Sequence, residues 1–151
     1  MLTIDATNVI GLDESAADKF DKLLTVYNNH FTSNRTKDKY YEGKITLNDV
    51  NLGIALPENI RKLEIGCAWG AKTVDVLAAR SMFDGFVGLN GVEVEELDKI
   101  AIGNNLIFEY MKACRDELKY GCTFATLSAD KDSGCKIRFH SPNTAAALWN
   151  G

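Results

Sequence analysis

The hydrophobic pattern of this chain changes its period once, and that change limits the folds the chain can adopt. Up to about residue 121, apolar residues recur at intervals of three and four, which is typical of amphipathic helices. Over residues 122–128 and 134–139 they alternate with polar residues, and turn-forming residues lie between these two runs. The pattern predicts an α+β fold in which amphipathic helices pack beside a small antiparallel β-hairpin.

The first third of the chain predicts two helices. Ser15 and Asp18 have the spacing of a capping box. Helical spacing then covers residues 15–32 through Ala16, Phe20, Leu23, Leu24, Tyr27 and Phe31. A short second helix is predicted over residues 34–44, with Gly43 ending it. Residues 1–12 are predicted to be an extended lead-in, and residues 46–59 a connecting loop.

The middle of the chain predicts further helices around one short strand. A helix is predicted over residues 68–81, with one face formed by Trp69, Thr73, Val76, Leu77 and Arg80. Residues 83–89 have the alternation and the glycines of a strand and turn. Residues 94–120 predict one long helix or two, with Gly103 as the weak point and Gly121 as the stop.

Composition and charge exclude several classes of protein. A length of 151 residues with 46% apolar residues suits a single soluble domain. No apolar run approaches the roughly 20 residues that a membrane span needs, and no secretory leader is evident, which predicts a cytosolic chain. A net charge of −4 argues against a surface devoted to nucleic acid. The four cysteines form no C-x-x-C pair, so reduced thiols are expected and no metal site is predicted.

The sharpest candidate for chemistry is the segment GCAWGAKT at residues 66–73. It differs from the phosphate-binding loop G-x-x-x-x-G-K-[ST] at one position, where Ala71 replaces the second glycine. That glycine matters because a Cβ disfavours the backbone conformation needed there. The alternative interpretation is a helix interior with a solvated Lys72. No other pattern indicates a catalytic, cofactor-binding or metal-binding site, so the residues predict a protein that is not an enzyme.

A basic cluster interleaved with tyrosines is a candidate contact for DNA or for an acidic partner. The alternative interpretation is a solvated helix face. The cluster comprises Arg35, Lys37, Lys39, Lys44, Arg61 and Lys62.

An ordered series of short motifs runs from about residue 15 to the end of the chain. After the first amphipathic helix come YYEG (40–43), VDVLAAR (74–80), FDGF (83–86), NNL (104–106), DELKYG (116–121) with CTF (122–124), and SPN (141–143) before ALW (147–149). This series resembles the N-terminal part of tailed-bacteriophage portal proteins, which are head-to-tail connectors.

The resemblance implies a structural role in the virion. Portal proteins form rings, usually dodecamers, at one capsid vertex, and double-stranded DNA passes through the central channel. The N-terminal wing is an α+β unit that faces neighbouring subunits and the major capsid protein. The large terminase, which hydrolyses ATP, and the head-completion proteins dock on the clip region. The expected location is therefore the portal vertex, with assembly in the host cytoplasm.

Portal proteins run to several hundred residues, so the resemblance implies a single wing-like domain over residues 1–151, without stem, clip or crown. Two alternatives remain open at this point. One is a small nucleotide-binding protein that uses residues 66–73. The other is a DNA-binding or partner-binding module that uses the cluster from Arg35 to Lys62.

Overall fold

The computed structural model describes residues 13–50, 52–66, 69–88, 94–130 and 134–149. The helices in these ranges are α1 (Glu14–Glu42), α2 (Glu58–Arg61), α3 (Trp69–Arg80), α4 (Glu95–Gly103) and α5 (Leu106–Tyr120). The strands β1 (Ile45–Thr46) and β2 (Glu64–Ile65) form one antiparallel pair, and β3 (Phe124–Asp130) and β4 (Gly134–His140) form another. The fold is α+β, as the change of period predicts.

The predicted hairpin is confirmed as β3 and β4. Phe124 lies opposite His140 and Leu127 opposite Ile137, in one unbroken antiparallel register. Gly134 begins β4 with a φ of 71°, which a residue with a side chain rarely adopts. The turn residues 131–133, like the predicted lead-in over residues 1–12, lie outside the described residues.

The first helix is longer than its apolar pattern. α1 is one continuous helix of 29 residues, so the prediction of two helices over residues 15–32 and 34–44 is wrong. Its N-cap is Asp13, whose carboxylate accepts a hydrogen bond from the Ala16 amide at 2.7 Å, and not the predicted Ser15 box. The predicted end at Gly43 is confirmed by a φ of 69° in the left-handed region.

The apolar repeat of α1 stops because polar side chains continue its packed face. Asn34 is buried, and Lys37, Asp38 and Tyr41 follow it at helical spacing, each half-buried. These side chains make long-range polar contacts with α3 and α5, described below. The apolar periodicity of α1 therefore ends at Phe31, although the helix itself continues for eleven more residues.

The predicted third helix is confirmed as α3, but its packed face is not the predicted one. Trp69, Val76 and Leu77 are exposed, whereas Ala78 is buried. A Cβ on Gly70 would lie 3.0 Å from the Tyr40 carbonyl oxygen, so α3 approaches α1 closely there. Small residues make that approach possible, and the larger apolar side chains are left facing outward.

Residues 83–88 do not form the predicted strand, apart from an isolated β-bridge at Val87. The Phe83 ring instead packs edge-on against Phe86, with ring centroids 5.1 Å apart, and contacts Tyr110 at 5.9 Å. Residues 47–50 and 52–57 are irregular, as predicted for the connecting loop over residues 46–59, but the ends of that predicted loop belong to β1 and α2. The paired strands β1 and β2 were not predicted, because two-residue strands carry no detectable period.

The chain turns between α4 and α5 at two adjacent asparagines, which confirms the two-helix alternative. Asn104 is only 4% exposed, and its side-chain amide donates to the Ile100 carbonyl at 2.9 Å and the Cys135 carbonyl at 2.8 Å. Its side-chain oxygen accepts from the Ile137 amide at 2.9 Å. Asn104 therefore joins the helix turn to the edge of β4 that β3 leaves unpaired.

The packed core is small and lies mainly between α3 and α5. Among the described residues, the buried apolar side chains are Ile45, Ala78, Leu106, Ala113 and Cys114. No helix in the described ranges is both long enough and apolar enough to cross a membrane. Because so few apolar side chains are buried, polar contacts make a large contribution to holding the helices together.

We expect Asn104→Ala to lower the free energy of unfolding by about 1–3 kcal/mol, because it leaves partly buried peptide groups of β4 without their hydrogen-bond partner. Asn105→Gly is the matched control. Asn105 has a φ of 51°, so glycine relieves strain and should leave stability unchanged or raise it by up to about 1 kcal/mol. Urea unfolding followed by circular dichroism measures both. Equal effects of the two substitutions would contradict the role assigned to Asn104.

Candidate functional site

The predicted basic residues gather near the end of α1. The Asn48 amide donates to the Arg61 carbonyl at 3.1 Å, which brings Arg61 and Lys62 close to that end. Four members of the cluster have partners within the chain: Lys37 with the Tyr120 carbonyl (2.8 Å), Lys39 with Asp49 (2.6 Å), Lys44 with Glu42 (2.9 Å) and Arg61 with the Leu56 carbonyl (2.8 Å). The Arg35 guanidinium lies 5.8 Å from the Phe31 ring centroid.

Asp49 illustrates how this cluster is neutralised. The hydrogen bond from Lys39 and those from the Thr46 amide and hydroxyl lower the pKa of Asp49 to about 2. Asp49 therefore stays charged at neutral pH and offsets the charge of Lys39. A phosphate that approached Lys39 would have to compete with that carboxylate.

The segment that resembles a phosphate-binding loop starts α3. Gly66 follows β2 and Trp69 begins the helix, while residues 67 and 68 lie outside the described ranges. Lys72 is exposed in the first turn, and the Thr73 hydroxyl donates to the Trp69 carbonyl at 2.9 Å. In a phosphate-binding loop that hydroxyl binds Mg²⁺. The described part of this segment thus has the hydrogen bonding of an ordinary helix start.

A polar cluster that sequence analysis missed joins α1 to α5 and to the segment after β4. The Lys119 ammonium pairs with the Asp38 carboxylate and lies 4.4 Å from the Tyr41 ring centroid. Asp38 also accepts hydrogen bonds from the Tyr120 hydroxyl and, at 3.1 Å, from the side-chain amide (Nδ2) of Asn143. The sequence does carry one sign of this cluster, because Asp38 falls on the same helical face as Phe31 and Asn34.

A second polar contact lies next to Tyr41. The Asp75 carboxylate of α3 accepts hydrogen bonds from the Tyr41 hydroxyl and the Arg115 guanidinium, both at 2.8 Å. Three helices therefore meet at one carboxylate. Together with the Asp38 cluster, this contact fixes the rotation of α1 about its own axis.

The titration of these groups favours a structural role. Burial raises the pKa of Asp38, but hydrogen bonds from Lys119 and Tyr120 outweigh it, so the pKa lies below its usual range. Burial lowers the pKa of Lys119, but hydrogen bonds to Asp38 and Tyr120 bring it above its usual range. Burial and then the Asp38 hydrogen bond raise the pKa of Tyr120. The ion pair is therefore stable across neutral pH.

A groove of about 570 Å³ lies between the loop after α3, α4 and the start of α5. Its apolar walls include three side chains that are largely exposed, and Ile102 reaches 81% exposure. The charged residues that line it are Asp84 and Asp98, both acidic. The lining comprises Met82, Phe83, Asp84, Gly85, Asp98, Ala101, Ile102, Asn105, Leu106 and Ile107.

A cleft of about 410 Å³ lies at the opposite end of the α3–α5 pair. Gly70 and Leu118 both line it, whereas Phe83 contacts Tyr110 at the groove end, so α3 and α5 run antiparallel. The charged residues that line the cleft are Lys37 and Lys119, both basic. Twelve residues of α3 separate the two ends by about 18 Å.

Comparisons with known proteins leave the function to be argued from this geometry. No protein-family model matches the chain, and no curated protein matches it. Within the described ranges, no group of three or more His, Cys, Asp or Glu is placed to hold a metal ion. The candidate functional surfaces are the acidic groove and the cleft at the other end of the α3–α5 pair, where Lys119 is paired with Asp38.

We expect Asp38→Asn to lower the free energy of unfolding by about 1–2 kcal/mol at pH 7, a figure that allows for partial exposure of Asp38. The reason is that Lys119, whose side chain is 13% exposed, loses its counter-ion. Asp18→Asn is the control, because Asp18 pairs with Lys22 at 2.6 Å on an exposed surface and should contribute less than about 0.5 kcal/mol.

The effect of Asp38→Asn should also depend on pH. Because the folded pKa of Asp38 is lowered, its contribution is complete above the pKa of the unfolded chain, about 4, and is lost as the pH falls through the folded value. The difference in stability between the wild type and Asp38→Asn should therefore shrink below about pH 4. Unfolding curves between neutral and acidic pH measure it, and a constant difference would refute the assignment.

Proposed function

We propose that this chain is a structural, non-enzymatic part of a tailed-phage portal ring, a wing-like unit at the capsid vertex that serves DNA packaging and head–tail joining. Besides the motif resemblance, one observation carries the proposal. Large apolar side chains remain exposed on the helices and on the loop after α3, and such surfaces mark contacts with other proteins. They include Trp69, Val76, Leu77, Met82, Ile102, Ile107, Phe108 and Leu118.

The partners of this unit follow from the same proposal. Neighbouring copies and the major capsid protein would cover the exposed helix faces. The large terminase and the head-completion proteins would act on regions that have no counterpart in this chain, and double-stranded DNA would pass through the channel. A net charge of −4, with Lys37 and Lys39 engaged internally, supports a wall that does not hold DNA tightly.

The proposal is tested with the longest polypeptide that the reading frame containing this chain encodes. We expect electron microscopy of that protein to show closed rings with an axial channel. An antibody fragment directed at the exposed side of α1 should label the periphery of each ring. Monomers, open filaments or labelling around the axial channel would contradict the proposed role.

The nucleotide-binding alternative predicts a different result. If residues 66–73 bound ATP, a saturating concentration of MgATP at 100 times the dissociation constant would stabilise the fold by about 2.7 kcal/mol. We expect no nucleotide-dependent rise in melting temperature, for the wild type or for Lys72→Ala. A rise that Lys72→Ala removes would replace the proposed structural role with a nucleotide-dependent one.

The DNA-binding alternative is tested by titration. We expect weak binding of duplex DNA near 0.15 M salt, because four of the candidate cations have internal partners. Tight binding that falls steeply with added salt, and that Lys62→Ala and Arg35→Ala weaken, would favour a nucleic-acid-binding module.

A further inference from the structure

The hairpin of β3 and β4 has one edge that the fold satisfies and one that it leaves open. Along β4, the Ile137 amide and the Cys135 carbonyl point away from β3 and are bonded by the Asn104 side chain. The sheet has two strands, so among the described residues no third strand pairs with the outer edge of β3. Such an edge is a template for pairing with another chain.

The register shows which backbone groups of β3 lie along the open edge. Residues directly opposite each other in an antiparallel pair either exchange both backbone hydrogen bonds or point both groups outward. Ile137 lies opposite Leu127, and Cys135 lies opposite Ala129. Because both β4 residues point outward, Leu127 and Ala129 do the same on the far side of β3, and Ala125 follows by alternation. Three N–H groups and three C=O groups therefore repeat along this edge at about 6.8 Å.

The open edge lacks the features that usually protect an edge strand from pairing. Such features include bulges, prolines and charged side chains, above all lysine. The pairing of β3 with β4 is unbroken over its described residues, and residues 124–129 (FATLSA) contain neither proline nor a charged residue. The side chains from Ala125 to Ala129 are exposed, and Leu127 reaches 71% exposure. An incoming strand therefore meets no barrier at this edge.

One face of the hairpin is basic. Side chains alternate between faces along a strand, so Thr126 shares its face with Lys136 and Arg138. The Thr126 hydroxyl lies 2.9 Å from the His140 Nε2 atom on that face. Neither Lys136 nor Arg138 forms an ion pair within the part of the chain that the structure describes. A strand added beside β3 would lie about 10 Å from β4, a distance that an arginine and a glutamate side chain span together.

The opposite face is apolar on both strands. Because α5 contacts β4, the apolar side chains of β4 are half-buried, whereas those of β3 are exposed. An apolar side chain on an added strand would cover Leu127 as a cross-strand neighbour. The face comprises Ala125, Leu127, Ala129, Cys135, Ile137 and Phe139.

We propose that the open edge of β3 binds an extended segment of another protein in which apolar and acidic residues alternate. The segment pairs with the outward backbone groups of β3. Its apolar side chains cover Leu127, and its acidic side chains face Lys136 and Arg138. In strand addition of this kind, backbone hydrogen bonds supply affinity and alternate side chains supply specificity. This pairing does not depend on the proposed function, because the observation that carries that function concerns the helices and the loop after α3.

Hydrogen exchange followed by NMR tests the pairing. The probe is a peptide of alternating valine and glutamate with seven residues, the length of β3. At ten times its dissociation constant, we expect it to slow exchange at the amides of Ala125, Leu127 and Ala129 about tenfold. The amides of Thr126 and Ser128 are already bonded to β4, so their exchange should change far less. This alternation distinguishes strand addition from binding elsewhere.

Two substitutions separate the backbone contribution from that of the side chain. Leu127→Pro removes the central outward N–H but no hydrogen bond to β4, and proline is tolerated at such edge positions. We expect it to raise the dissociation constant of the peptide at least about tenfold. Leu127→Ala is the matched control, because it keeps the N–H and loses apolar contact alone, so it should raise the constant no more than about fivefold. Circular dichroism checks that both variants fold.

Charge reversal tests the acidic character of the partner. A peptide of alternating valine and lysine should bind the wild type about tenfold more weakly than the valine–glutamate peptide, because its ammonium groups meet like charges. Arg138→Glu should remove most of that preference. Arg138→Lys keeps the charge and should preserve it.

Four results would overturn the inference. These are no binding up to about 1 mM peptide, protection that does not alternate along β3, equal effects of Leu127→Pro and Leu127→Ala, and equal binding of the two peptides. Protection of the same amides at high concentration of this chain alone would identify a second copy as the occupant instead. Protection of them in the longest polypeptide of the reading frame, without peptide, would assign the edge to that polypeptide's own chain. Both results would count against a separate partner and leave the portal proposal unaffected.

Discussion

The ion pair between Asp38 and Lys119 decides how the longest helix lies on the rest of the molecule. The apolar core between α3 and α5 is small, and α1 contributes few large buried side chains to it. The position of α1 therefore depends more on directional polar contacts than on the packing of apolar side chains. Fully satisfied polar networks specify one arrangement, because any other leaves a charge without its partner. The contact of Tyr41 with Asp75, one turn further along, adds α3 to the same arrangement.

Several elements of the fold were predictable because their signals are local. The helix ends at Gly43 and Gly121 follow from the left-handed conformation that glycine permits. The hairpin follows from alternation over two runs, and the break between α4 and α5 from a weak point in the repeat. Each of these rests on a few neighbouring residues. The continuity of α1 beyond Phe31 was not predictable from apolar spacing, because Asn34 and Asp38 occupy its packed face.

The candidate surfaces depend on contacts that no local pattern reveals. The charges near the end of α1 are visible in the sequence, but Lys37 is satisfied by a carbonyl 83 residues away. On α3, the spacing of Trp69, Val76 and Leu77 predicts a packed face, whereas α3 approaches α1 through Gly70 and these side chains are exposed. The fold alone shows that the groove, to which Ile102 of α4 contributes, lies at the opposite end of the α3–α5 pair from Trp69.

The length of α1 has a mechanical consequence. Among the residues that the structure describes, its long-range polar contacts begin at Tyr27, whose hydroxyl donates to the Asn143 carbonyl at 2.9 Å. Thirteen residues separate Tyr27 from the first residue of the helix, a lever arm of about 20 Å. A tilt of about 10° about Tyr27 would displace that end by about 3 Å, which is the length of a hydrogen bond. A tilt of this size would therefore displace a partner bound at the start of α1 by about the same 3 Å.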